Sequence, residues 1–135
     1  MGKKIILLLF YCLLPMLSIA QITLTIEISD LRNNDGQILF ELSKEDEERV
    51  FAVTGDILEN SCVIVIENLE PGMYAFRYFH DENMNEKLDT NWLGIPKEGF
   101  GFSNDPKMTF GPPSFEKTLF ELNGSEVLTS KPKYF

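Results

Sequence analysis

The feature that most restricts this chain is a two-residue alternation of apolar and polar side chains. Ile22, Leu24, Ile26 and Ile28 are separated by Thr23, Thr25, Glu27 and Ser29, which gives one apolar side only if successive side chains point to opposite faces, as in a β-strand. A helix would spread the same residues around its circumference. Strand character recurs at 37–43, where Ile38, Phe40 and Leu42 share a face, and more briefly at 51–53. It returns at 61–68, 73–80, 115–122 and 127–131. Asn33-Asn34-Asp35-Gly36, Pro71-Gly72 and Asn123-Gly124 punctuate these runs with residues that tolerate or impose reversal. The acidic segment 44–49 is expected to be a solvated turn or a short helix. Pro71-Gly72 is expected to close a hairpin between 61–68 and 73–80.

About seven short strands with regular turns predict an all-β fold, a single Greek-key β-sandwich of immunoglobulin-like or transthyretin-like type. A membrane barrel is disfavoured, because its strands alternate over stretches of about ten residues. From Asp81 to Pro113 the alternation disappears for 33 residues. A loop of that length in a compact domain is uncommon and is a usual place for function.

Residues 1–20 are set apart from the domain at 21–135. Lys3 and Lys4 precede an apolar stretch, and Ser18-Ile19-Ala20 places small residues where a signal peptidase cuts. The reading is a cleaved signal peptide, export to the periplasm or the extracellular space, and no transmembrane span in the mature chain. Cys12 does not make a lipoprotein signal, because Phe10 and Tyr11 stand where small residues are needed. Cleavage removes two lysines and no acid, taking the formal charge from −9 to −11. So acidic a chain without a cluster of Lys and Arg excludes a nucleic-acid binder. It leaves Cys62 alone, expected as a buried strand thiol, so the core holds without an internal disulfide.

Most of the chemistry gathers at the mouth of the long loop, His80-Asp81-Glu82-Asn83-Met84-Asn85-Glu86-Lys87-Leu88-Asp89. Asp81, Asn83, Asn85 and Asp89 occupy positions 1, 3, 5 and 9 of a calcium loop, with the Lys87 carbonyl at position 7. Two features oppose a Ca2+ site: Glu86 stands where the sharp turn wants glycine, and Trp92 stands where a bidentate Glu belongs. Glu82, Glu86 or Glu98 could supply the missing carboxylate. The competing reading is an Asx-rich turn whose side-chain oxygens bond their own backbone. Farther along, Gly and Pro separate single large aromatics: Trp92, Phe100, Phe102, Phe110 and Phe115. These rings either fold back as a satellite core or, with His80, line a ligand surface for a protein, glycan or small molecule.

The stretches Leu69-Glu70-Pro71-Gly72-Met73-Tyr74-Ala75, Phe79-His80-Asp81-Glu82-Asn83, Lys87-Leu88-Asp89-Thr90-Asn91, Leu93-Gly94-Ile95-Pro96-Lys97-Glu98-Gly99 and Phe110-Gly111-Pro112-Pro113-Ser114-Phe115 resemble the secreted bacterial family catalogued as domain of unknown function 2141. The resemblance implies a small exported β-sandwich, akin to transthyretin-like and carboxypeptidase-regulatory-like domains, with no assigned activity. Such members tend to carry Asn-Gly-Asn-Gly in the first loop. Asn83-Met84-Asn85-Glu86 replaces both glycines here, which weakens a metal role by analogy.

An enzyme finds little support. There is one histidine, no Gly-x-Ser-x-Gly elbow and no thiol with a base beside it. Carboxylate pairs such as Asp81 with Asp105 or Glu98 leave a hydrolase as a third reading. The expected function is therefore a non-catalytic binding or interaction module using the 81–115 loop, the alternative a calcium-stabilised structural domain.

Overall fold

A computed structural model describes residues 21–135; the expected signal peptide lies outside the described residues. The chain forms two sheets packed face to face. In the first, β1 (Ile22–Ile28) lies between β4 (Cys62–Leu69), antiparallel to it, and β8 (Glu126–Ser130), parallel to it. In the second the order is β3 (Arg49–Gly55), β2 (Gln37–Lys44), β5 (Gly72–Asp81), β6 (Phe100–Phe102), with β7 (Phe120–Leu122) on β5 near its start. This is the expected all-β sandwich.

The alternation of β1 becomes the core. Leu24, Ile26 and Ile28 face Phe40, Leu42, Phe76 and Tyr78 of the other sheet, joined by Ile64, Ile66 and Leu122. Burying each such side chain contributes about 1.5–3 kcal/mol, which makes the shared apolar layer the main source of stability. Cys62 lies in the same layer as a free thiol. Burial, with a smaller effect from Asp56, pushes its pKa up to about 11, so it behaves as a small apolar side chain.

Three local expectations change. Pro71-Gly72 does not close a hairpin: β4 and β5 belong to different sheets, and this segment carries the chain across the core. Period two states which face is buried but not which strand is the neighbour. The Tyr74 hydroxyl donates to the Glu70 carbonyl at 2.7 Å, the tyrosine-corner contact that pins a crossing of this kind. Segment 115–122 is not one strand, since Phe115–Thr118 forms a 3₁₀ turn before β7. Within 81–113 the backbone recovers a strand at β6, paired with Arg77–Phe79 of β5. The acidic segment 44–49 turns between β2 and β3, with Glu47 at φ 65°.

Candidate functional site

The loop mouth is held from inside the sandwich. His80 is fully buried, and its Nε2 lies 2.6 Å from the Asp35 carbonyl, which can only accept. Nε2 therefore donates to that carbonyl, and Nδ1 is hydrogen-bonded with the Tyr134 hydroxyl at 2.9 Å. Tyr134 oxygen in turn accepts the Arg32 backbone N–H. With both nitrogens engaged and no exposed surface, His80 fixes the loop and offers nothing to a ligand. β5 continues through position 81 and turns His80 inward, so it bonds the loop from the core side and not from the ligand-facing surface.

Asp81 is also fully buried. Its Oδ1 accepts the Asn85 N–H, while Oδ2 accepts from the Glu86 N–H at 2.9 Å and from Gln37. Asn83 and Asn85 accept N–H groups two residues on, at Asn85 and Lys87, and both donate their amides to Asp89. These are consecutive Asx turns. Glu98, buried, closes the far side by accepting the N–H groups of Glu82 and Asp89 at 3.0 Å each. The loop thus brings Asp81, Asn83, Asn85 and Asp89 together and adds Glu98, while Lys87 stays exposed at its rim. Among the described residues, no group of three or more His, Cys, Asp and Glu is arranged to hold a metal ion. Outside it, Arg32 pairs with Glu82. That hydrogen bond holds the Glu82 carboxyl below its ordinary value, against burial and with help from Asn33.

The aromatics divide. Trp92 is 90% exposed and Phe110 97% exposed, each at the outside of the loop. Asn91 pins the Trp92 turn by accepting the N–H groups of Leu93 and Ile95. Phe100 is buried and packs on Phe102 and Phe135. Phe115 is half-buried beside Pro112 and Pro113.

A concave surface lies on the outer face of the five-stranded sheet, opposite the core. Register places Leu39 beside Phe79 and Phe79 beside Phe100, with Glu41 beside Arg77 and Arg77 beside Phe102. These residues, with Thr54 and Leu88, line a groove of about 720 Å3. It continues past Arg49 and Pro112 into a second hollow that reaches Ser43, Glu47 and Phe115. Of the aromatics read from the sequence, Phe100, Phe102 and Phe115 reach this surface and Trp92 and Phe110 do not.

A family model described as "Uncharacterized protein conserved in bacteria (DUF2141)" matches residues 26–130. The chain belongs to that family. Neither a curated protein nor a solved structure matches it.

The match to DUF2141 begins within β1 and ends with the last residue of β8, so the family unit is the sandwich together with its long loop. The backbone explains the glycines that the resemblance leads one to expect at positions 84 and 86. Met84 and Glu86 adopt φ 57° and 61°, the left-handed region that glycine enters at no steric cost. Leu39 and Phe79, central to the groove of this DUF2141 domain, escaped the sequence reading. Their signal was present, since β2 and β5 carry apolar residues in both phases of the alternation, the pattern of a strand covered on both sides.

Proposed function

We propose that this protein is a non-catalytic binding module, exported on the strength of residues 1–20, whose ligand seat is the groove on the outer face of the five-stranded sheet. One observation carries the reading. A sandwich needs one apolar face per sheet, yet Leu39, Phe79, Phe100 and Phe102 give this sheet a second. The loop 81–115 returns to that face at Leu88, Pro112 and Phe115. The absence of catalysis is supported by the engagement of the reactive groups: both nitrogens of His80, both oxygens of Asp81, and a Cys62 thiol raised by burial. Nile red, a neutral apolar probe, tests the seat. Its fluorescence should rise with the protein, fall with Leu39→Ser or Phe79→Ser, and stay unchanged with Trp92→Ala. Loss with Trp92→Ala alone would move the seat to the loop tip, and no rise at all would overturn the proposal.

A second reading, a Ca2+-stabilised loop, is favoured by one observation. Glu86 adopts the left-handed backbone that position 6 of a calcium loop needs, despite its side chain. The buried carboxylates of Asp81 and Glu98 would then share a cation with Asn83, Asn85, Asp89 and the Lys87 carbonyl. Thermal unfolding with calcium and then with chelator decides it. Binding linked to folding raises the midpoint at millimolar calcium, and Asp81→Ala with Asp89→Ala abolishes the rise. An unchanged midpoint rejects the metal.

A further inference from the structure

We infer that the groove takes a single-chain amphiphile with an anionic head, its carboxylate seated on Arg49 and Arg77 and its hydrocarbon tail laid along Phe79 and Leu39. The inference rests on the groove being the ligand seat, and the charge arrangement within the groove carries it. Arg77 Nε pairs with Glu41, and Arg49 Nη1 lies 3.6 Å from the other oxygen of the same carboxylate. Two guanidiniums share one carboxylate, and among the described residues neither has a second acidic partner. Each guanidinium keeps N–H donors that Glu41 does not occupy, on a chain whose net charge is −9. Guanidinium forks match carboxylate geometry.

The other charges set a direction. Register runs from Ser43 and Arg49 at one end, through Glu41 and Arg77, to Leu39 and Phe79, and ends where Gln37 meets Asp81. Glu86 and Leu88 sit at that last end, so an anionic head there is repelled while a tail finds apolar surface. Glu47 lines the hollow with the arginines, so the head is held by the guanidinium donors themselves and not by a net positive field. The volume of about 720 Å3 falls in the range of roughly 300–1,000 Å3 typical of small-molecule sites. A concave seat of that size suits a lipid-like molecule better than a flat protein interface.

Calorimetric titration of the purified protein with dodecanoate below its micelle concentration tests the inference, with dodecyl maltoside as a neutral head on the same tail. One dodecanoate should bind per chain, more weakly as salt is added. Arg49→Gln with Arg77→Gln should weaken dodecanoate about tenfold or more and leave dodecyl maltoside within about twofold. Glu41→Gln, which releases both arginines, should tighten dodecanoate several-fold, an effect no merely structural role produces. Leu39→Ser should weaken both ligands. If the double arginine variant affects both ligands alike or neither, the anionic-head assignment is overturned while the groove stands. The same follows if Nile red binds the groove and dodecanoate does not. If none of the three probes binds, the groove reading falls as well.

Discussion

Single residues carry more of this architecture than their chemistry advertises. Gly36 sits at φ 73°, and a Cβ there would lie 1.9 Å from the Asp81 carbonyl oxygen, so the β1–β2 turn and the loop mouth meet at a point where only glycine fits. Gly94 has a similar φ of 80° but open space around it. Gly36→Ala is expected to cost about 2–4 kcal/mol, combining backbone strain with overpacking, and Gly94→Ala about 1 kcal/mol. Urea unfolding of the pair measures the difference, and equal losses would contradict the contact. Glu82 supplies the pH dependence. Its folded pKa lies below the ordinary 4.5 because of Arg32, so the pair stabilises the fold above that value and its contribution is lost as pH falls through the folded pKa. Both side chains are partly solvated, which limits the gain at pH 7 to about 1 kcal/mol or less. Arg32→Gln should therefore lower stability at pH 7 and match the parent in strong acid. A deficit that persists at low pH would assign the effect to the contacts of the Arg32 guanidinium that do not titrate, with the Tyr134 ring and the Lys97 carbonyl.

At the scale of elements, the long strands are legible in the sequence and their pairing is not. β1, β2, β4 and β5 were readable because each has an apolar phase, and those phases are the core. Pro71-Gly72 suits a hairpin and a crossing between sheets alike; Tyr74, whose hydroxyl ties back to Glu70, is what distinguishes them. Tyr74→Phe keeps the ring in the core and removes that bond. It should cost about 0.5–1.5 kcal/mol by chemical denaturation, and no loss would deny the corner a role. β6 was invisible for another reason. Two phenylalanines separated by one glycine are too few to show a period, and Gly101 is needed because a Cβ would fall 2.4 Å from the Tyr78 ring. The loop is likewise held by side-chain bonds to its own backbone. Glu98→Ala strips acceptors from the Glu82 and Asp89 N–H groups, and hydrogen exchange at those two amides should accelerate well before the strand amides do.

For the whole molecule, the last five residues decide how the two sheets are joined to the site. After β8 leaves the first sheet, Lys133 pairs through its backbone with Phe100 of the second, Tyr134 bonds His80, and Phe135 covers Phe100. The Tyr78 hydroxyl meets Ser130 across the same seam at 2.8 Å. Removing residues 132–135 should lower Tm by on the order of 10 °C and loosen β6, which a thermal scan and exchange at Phe100 would register together. Among the described residues no buried polar side-chain atom lacks a partner, so this seam is fully satisfied as it stands.

The sequence by itself determined the fold class, the family, the buried faces of the strands, the buried thiol and the Asx-rich character of the loop mouth. All of these follow from local periodicity, local turn chemistry or short motifs, which neighbouring residues encode. Tertiary structure alone decided that β4 and β5 part into different sheets, that His80 is sealed between Asp35 and Tyr134, and that Glu98 closes the loop. It alone decided that Leu39, Phe79, Phe100 and the arginines share one groove. Each of these depends on contacts between segments remote along the chain, whose geometry is set by how two twisted sheets pack and not by any residue's own preference.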